Sequence, residues 1–317
     1  MIWYMRANCK QLQPPIMPRP DLAKLGINYR RIPVLSIGQD VYLDTRLIIQ
    51  KLEQLEVSNP KLGANGPETK AIEKLLEIFA VDGGIFSRAA QLLPSDLPML
   101  KDPAFGKDRI DFNNGRRWSR DDWTVVKPEA INEIRNAMEF LETTLLADGR
   151  DWILKTDQPS LADIEGVWPL HWIAGIPGAL PPDQVSAERF PKVYAWINRF
   201  QKAVSAAKKS QPKPLDISGD KARELILNSG YNDLDGQVDP SDPLTRAHNL
   251  KRGEPVTVWP TDTGSSHRDV GLLVSLDGKE VVYETQSDTS PKQGVRVHAP
   301  RHGFRISHAD RVSSLKL

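Results

Sequence analysis

The spacing of apolar residues changes twice along the chain, and this change most constrains the fold. Short apolar runs separated by turn residues occupy residues 1–57, long helical periods occupy residues 67–206, and short runs return after Gly253. A spacing of two residues is typical of strands, whereas a spacing of three to four is typical of helices. No internal repeat is visible, so the sequence predicts three segments of different architecture.

The first segment has the pattern of an α/β unit. Residues 32–37 and 41–43 are rich in β-branched and aromatic side chains and flank a tight turn at residues 38–40, which predicts a hairpin. From Thr45 onwards apolar residues recur at three- and four-residue spacing, at Leu47, Ile48, Leu52 and Leu55. The second strand is therefore expected to run directly into a helix.

The middle segment predicts a helical bundle. Its three apolar stripes are Ile72, Leu75, Leu76, Phe79 and Ala80; Ile131, Ile134, Met138, Leu141 and Leu145; and Val193, Trp196, Ile197 and Phe200. Residues 94–122, rich in Pro, Asp, Gly and Arg, predict a long loop or two short irregular pieces. Residues 207–216 include a stretch without apolar side chains that contains two prolines, which favours a solvated linker.

The last segment, residues 217–317, predicts a short helix followed by strands. Ser218 is expected to cap a helix that ends near Leu227. Asp277-Gly278 is a strong hairpin signal, and five short strands separated by Gly and Pro turns favour a small antiparallel barrel.

Composition excludes several classes of protein. The 317 residues contain 42 Lys and Arg against 41 Asp and Glu, a net charge of +1, so no global field would attract nucleic acid. Cys9 is the only cysteine, which excludes an internal disulfide and a Cys-rich zinc cluster. No apolar run reaches about 18 residues and no secretion signal is visible, so we expect no membrane association and a cytoplasmic location.

Five short motifs, in order, resemble glutathione transferases. Residues 18–22, 29–35 and 44–46 are similar to the thioredoxin-like N-terminal domain, and their sequences are most similar to those of fungal members. Residues 159–164 and 190–197 are similar to a capping box and a later helix of that family's second domain. The resemblance covers residues 10–206, and the tail is similar to an uncharacterised extension on some fungal transferase-like proteins.

The resemblance implies an incomplete α/β thioredoxin-like domain over residues 1–57, which lacks its first strand. An all-α transferase-type helical bundle over residues 67–206 would follow it. After the linker at 207–216, a small mainly-β module would complete the chain. A homodimer is a further expectation from the family.

The same resemblance implies a glutathione site. The backbone of Ile32, before a cis Pro33, would pair with the cysteinyl part of glutathione like one more strand. Asp44 and Thr45, at the start of a helix, would hold the γ-glutamyl end. Two alternatives stay open: Pro33 can be an ordinary trans proline, and Asp44-Thr45 can be a helix cap alone.

The residue that would activate the glutathione thiol is not found. Family enzymes place a Ser, Tyr or Cys just after the first strand. Counting back from residues 10–13, which resemble the second strand, this chain begins after that point, and Tyr4 and Cys9 lie too late. A truncated gene model is one explanation. The other is a noncatalytic relative that serves as a transferase-fold scaffold or protein-interaction module.

If chemistry survives, we expect glutathione to act on a hydrophobic electrophile. The aromatic residues that would contact it are Phe79, Phe86, Trp118, Trp123, Trp168 and Trp172, although for any single one a place in the bundle core is the simpler interpretation. Arg88 and Arg117 could balance an anionic tripeptide, although a solvated surface charge is the simpler interpretation. No metal is expected, because His298, His302 and His308 have no ligand-like spacing and no neighbouring carboxylate or thiolate.

Overall fold

The computed structural model describes residues 10–13, 19–55, 61–116, 120–210, 212–285 and 294–310, and the side chains of 120–124 lie outside this description. None of the described helices is long and apolar enough to cross a bilayer.

Helices and strands alternate at the two ends of the chain and helices fill its middle. The elements up to residue 112 are β1 (Lys10–Gln11), α1 (Pro20–Ala23), β2 (Val34–Ile37), β3 (Asp40–Leu43), α2 (Thr45–Gln54), α3 (Pro67–Ala80), α4 (Ile85–Gln91), α5 (Pro98–Lys101) and α6 (Pro103–Phe112). The later elements are α7 (Arg120–Thr143), α8 (Leu161–Ala174), α9 (Pro191–Ser210), β4 (Leu215–Asp216), α10 (Gly219–Leu227), α11 (Pro243–His248), β5 (Pro255–Pro260), β6 (Asp269–Leu276), β7 (Glu280–Thr285), β8 (Arg296–Pro300) and β9 (Phe304–His308).

These elements form two compact units. The helical unit contains the described residues of Glu56–Lys101 and Trp118–Lys213, and the sheet unit contains those of Asn8–Leu55, Asp102–Arg117 and Pro214–Leu317. The first and last segments of the chain therefore share one unit, whereas their sequence patterns predict two separate domains.

The sheet unit is built on one mixed sheet with the strand order β2-β3-β8-β7-β6-β5-β9. The predicted hairpin is present, with Val34 opposite Leu43, and β3 pairs in parallel with β8, where Tyr42 lies opposite His298. The five predicted C-terminal strands are antiparallel neighbours that continue this sheet. They lie in one sheet with the N-terminal hairpin because β8 supplies partners for the backbone groups on the open edge of β3.

The core of the sheet unit contains residues from both ends of the chain. The fully buried apolar side chains include Ile27, Val41 and Leu43 from the N-terminal part and Leu273, Tyr283 and Val297 from the C-terminal part. Because apolar burial is the main stabilising term in folding, neither end can expose its face without losing that stabilisation.

The helical unit buries most members of the three predicted stripes. Leu76, Ile134, Met138, Leu141, Val193 and Trp196 belong to its core. Leu75 does not, since 63% of its surface is exposed. The predicted helical bundle is therefore present.

Two segments contain more regular structure than their composition predicts. Residues 94–122 hold α5, α6 and the start of α7, because Asp102 caps α6 by accepting the N–H of Ala104 at 2.8 Å and Pro103 occupies the first helical position. In the predicted linker, α9 continues to Ser210, and β4 pairs in parallel with β1, with Leu215 opposite Lys10.

Candidate functional site

The hairpin register brings the predicted glutathione-binding residues to one end of β2 and β3. Val34 lies opposite Leu43, so Pro33 and Asp44, the next residues along each strand, lie side by side. The Ile32–Pro33 peptide bond is cis. Ile32 is 58% exposed, and among the described residues neither its N–H nor its C=O has a hydrogen-bond partner. This end of the hairpin therefore presents an open backbone edge.

Asp44 and Thr45 begin α2 beside that edge. Asp44 has a left-handed φ of 68°, and its carboxylate accepts the N–H of Arg46 at 3.0 Å, so it caps the helix. Thr45 is the exposed first residue of α2. The remaining N–H groups of the first turn carry a partial positive charge that suits an anionic group.

The charges near this helix start are mixed. The pKa of Arg31 is lowered, chiefly by burial, and it interacts electrostatically with the carboxylate of Asp44 and the guanidinium of Arg46. Burial raises the pKa of Tyr29, and the nearby Asp44 carboxylate adds to this effect. The carboxylate of Asp44 and the guanidinium groups of Arg31 and Arg46 thus lie near the exposed edge, and Arg31 is itself paired with Asp262. Charges of both signs suit a zwitterionic ligand.

Asp269 of β6 anchors the loop that leads to Ile32. Its carboxylate accepts the N–H of Asn28 at 2.5 Å, the N–H of Tyr29 at 3.2 Å and the hydroxyl of Tyr283 at 2.7 Å. Burial raises the pKa of Asp269 to about 6. The C-terminal strands therefore hold the backbone that precedes the candidate site.

Because the Asp269 carboxyl group is buried, we expect the free energy of unfolding to depend on pH, and we expect Asp269→Asn to remove this dependence. Between pH 3.8, the ordinary pKa of Asp, and pH 6, the folded chain keeps a proton that the unfolded chain has released, so stability falls as pH rises. One pKa unit corresponds to about 1.4 kcal/mol, so the stability of wild type relative to Asp269→Asn should fall by about 3 kcal/mol across this window. Urea unfolding of both proteins from pH 4 to 7.5 measures it, and a constant difference would contradict the prediction.

Two arginines fix the same loop to other parts of the sheet unit. The buried guanidinium of Arg30 forms ion pairs with Asp108 and Asp111 of α6. Arg31 forms an ion pair with Asp262 and donates to the C=O of Thr263 at 2.9 Å. Sequence patterns miss these anchors, because each partner is more than 70 residues away and no local spacing marks it.

The predicted aromatic residues of the helical unit separate into two groups. Phe86, which is 41% exposed, packs against Trp168 and Trp172 with ring centroids 4.7 and 5.6 Å apart. Phe79 instead packs against Phe140 at 5.7 Å. Trp168 and Trp172 thus share Phe86 as a ring neighbour, whereas the ring neighbour of Phe79 is Phe140.

Several other predicted residues have no described environment. Tyr4, Cys9, Arg117 and Trp118 lie outside the described residues, as does the side chain of Trp123. Arg88 lies in the helical unit, where its guanidinium is 3.5 Å from the carboxylate of Glu129.

Comparison with known sequences gives limited information. Residues 88–209 match the model of a domain of unknown function (DUF7962), a match to less than half of the chain. The search of curated proteins finds no match.

Comparison with solved structures is more informative. A GST-like protein from Pseudomonas syringae is 24% identical, with a TM-score of 0.68 over 97% of this chain and 92% of that one. A glutathione transferase family member from Pseudomonas fluorescens with bound S-(propanoic acid)-glutathione is 20% identical, with a TM-score of 0.38 over 58% and 79%. A Tau class glutathione S-transferase from mango is 14% identical, with a TM-score of 0.40 over 66% and 81%. On the first of these matches, the chain has the fold of a glutathione-transferase-like protein.

Proposed function

We propose that this chain binds glutathione at the open end of the hairpin and acts with it on a hydrophobic electrophile. The observation that carries the proposal is the exposed residue Ile32, whose backbone has no hydrogen-bond partner among the described residues, beside Asp44 and the start of α2. A backbone edge and a charged helix start at one place fit an extended peptide with a zwitterionic end.

The cysteinyl and γ-glutamyl parts of glutathione each have a partner in this arrangement. The cysteinyl N–H and C=O pair with the C=O and N–H of Ile32, in the manner of an added strand. The γ-glutamyl ammonium group faces the Asp44 carboxylate. The γ-glutamyl carboxylate accepts hydrogen bonds from the backbone N–H groups in the first turn of α2 and from the Thr45 hydroxyl. Pro33 follows Ile32 through a cis peptide bond and has no backbone N–H to donate.

The electrophile would contact aromatic side chains of the helical unit. Phe86, Trp168 and Trp172 form a partly exposed aromatic cluster that suits a hydrophobic molecule. Phe79, Trp118 and Trp123 stay in the proposal as further contacts. A homodimer and a cytoplasmic location belong to the same proposal. The similarity of the motifs to fungal sequences stays a resemblance.

No described residue is assigned to activating the thiol. The rate of conjugation depends on the thiolate population and on the apposition of the two substrates. Binding without conjugation would therefore favour the alternative function, a noncatalytic transferase-fold scaffold or protein-interaction module that has lost the activating residue.

Retention on a glutathione matrix tests the proposal. We expect the full chain to be retained and to be released by free glutathione, because binding depends on the tripeptide backbone and its charged end. Conjugation of a chloronitrobenzene-type electrophile above background would show the enzymatic function. Passage of the folded chain through the matrix, with no heat of binding in solution, would contradict the proposal.

A further inference from the structure

A second group of charged side chains lies at the opposite end of β3 from Asp44. It comprises Asp40 of β3, Lys51 of α2, Asp233 from the loop after α10, Glu280 of β7 and His298 of β8. Four elements and one loop therefore converge on one point within the sheet unit.

His298 is held in one orientation. Its side chain is 3% exposed, and its Nε2 lies 2.8 Å from Oδ1 of Asp40, which is fully buried. The other carboxylate oxygen of Asp40 accepts the N–H of Asn232 at 2.5 Å and that of Asp233 at 2.9 Å. Nε2 donates to Asp40, and Nδ1 is within hydrogen-bond distance of the Glu280 carboxylate and faces Asp233, so a metal ion on this side would replace the proton between Nδ1 and Glu280.

Three possible metal ligands meet on the Nδ1 side of this imidazole. One atom each from Asp233, Glu280 and His298 lies within 4.8 Å of the others, and Nδ1 of His298 is 3.9 Å from Oδ2 of Asp233. All three residues line a cavity of about 170 Å³. A water molecule occupies about 30 Å³ in the liquid, so the cavity has room for an ion and a water ligand.

A cation already lies beside these carboxylates. Nζ of Lys51 is 2.5 Å from Oδ2 of Asp233 and 3.2 Å from Oε2 of Glu280. The guanidinium of Arg296 lines the same cavity, so the carboxylates of Asp40, Asp233 and Glu280 exceed the two cations by one negative charge when the imidazole is neutral. The flexible stem of Lys51 allows its ammonium to move away, and a divalent cation would then balance the remaining excess of two.

We propose that Asp233, Glu280 and His298 form a binding site for a divalent transition-metal ion. An imidazole with two carboxylates suits zinc and related ions, whereas magnesium and calcium prefer oxygen ligands throughout. Asp40 is a positioning residue that orients His298, in the carboxylate–histidine–metal arrangement common in proteins. Three protein ligands leave a fourth position for water or a substrate atom.

This proposal revises the expectation that the C-terminal histidines have no carboxylate beside them. Glu280 lies 18 residues before His298 and Asp40 lies 258 residues before it, so sequence spacing does not reveal either contact. His302 and His308 are not part of the site.

Calorimetric titration of the metal-stripped full chain with Zn²⁺ tests the site. We expect saturable binding of one Zn²⁺ that Mg²⁺ does not compete away. Glu280→Gln and Asp233→Asn should each weaken binding at least tenfold, and Asp40→Asn should weaken it 10- to 100-fold. Glu284→Gln, on the same strand as Glu280, and His302→Gln, at an exposed histidine, are the matched controls and should bind as wild type.

Two further variants separate a metal site from a purely structural ion-pair network. Lys51→Met should bind Zn²⁺ more tightly than wild type, because it removes the competing ammonium. With Co²⁺ as the probe, the visible absorption bands of the bound ion should change in Asp40→Asn, since the orientation of His298 changes. Absence of Zn²⁺ binding by the folded wild type, or unchanged affinity in Glu280→Gln, would overturn the proposal. Neither result depends on glutathione binding.

Discussion

Replacing Asp163 by alanine is expected to destabilise the helical unit by about 4 kcal/mol, since it leaves several buried donors without an acceptor. Asp163 is fully buried in α8. Its carboxylate accepts the N–H of Ile153 at 2.8 Å, the N–H and hydroxyl of Ser160 at 2.9 and 2.8 Å, and the Nε1–H of Trp196 at 2.8 Å. One side chain thus joins the start of α8 to the preceding loop and to α9.

Thermal or urea unfolding followed by circular dichroism measures this loss. Asp157→Ala is the matched control, because Asp157 is an exposed aspartate just before the same helix, and its stability should stay within about 0.5 kcal/mol of wild type. Equal stability of the two variants would show that the hydrogen bonds of Asp163 contribute little.

Arg30→Met is expected to destabilise the sheet unit by about 3 kcal/mol and to weaken glutathione binding. The side chains of Arg30 and Asp108 are 3% and 7% exposed, so the change leaves a buried carboxylate with Arg109 as its remaining cation. The loop that carries Ile32 also loses its connection to α6. The second effect is separate from the first, and calorimetric titration with glutathione measures it at a temperature where the variant is folded.

Two comparisons make the Arg30 prediction specific. Adding Asp108→Asn to Arg30→Met should restore part of the lost stability, because it removes a buried charge that has lost one of its two arginine partners. Arg252→Met disrupts an ion pair in which both partners are about half exposed, and it should cost less than about 1 kcal/mol. A cost for Arg30→Met as small as that for Arg252→Met would contradict the buried ion-pair interpretation.

Local features of the fold follow directly from sequence. The Asp277-Gly278 turn joins β6 to β7, and the Asp277 carboxylate accepts the N–H groups of Lys279 and Glu280, as its composition predicts. Ser218 accepts the N–H of Lys221 at the start of α10. In the predicted capping box at Ser160, Asp163 accepts the Ser160 N–H, but the serine hydroxyl donates to Asp163. These features are predictable because the interacting groups are within a few residues of each other.

Contacts between distant segments do not follow from sequence. The parallel pairing of Tyr42 with His298 joins the two ends of the chain, although each strand by itself is compatible with a separate domain. Arg30 and Asp108 carry no motif that would pair them across 78 residues. For the same reason, the hairpin end with Ile32 and Asp44 is predictable, whereas the anchors of its loop and the His298 cluster are not.

The proposal that the hairpin end binds glutathione is tested most directly by calorimetric titration of wild type, Asp44→Ala and Asp102→Ala with glutathione. Both aspartates cap a helix of the sheet unit, so each alanine should cost about 1 kcal/mol of stability, and Asp44→Ala should cost more because alanine is strained at a φ of 68°. We expect one glutathione to bind wild type and Asp102→Ala equally and to bind Asp44→Ala at least tenfold more weakly. Equal binding by all three proteins, or no binding by wild type, would contradict the assignment of this site.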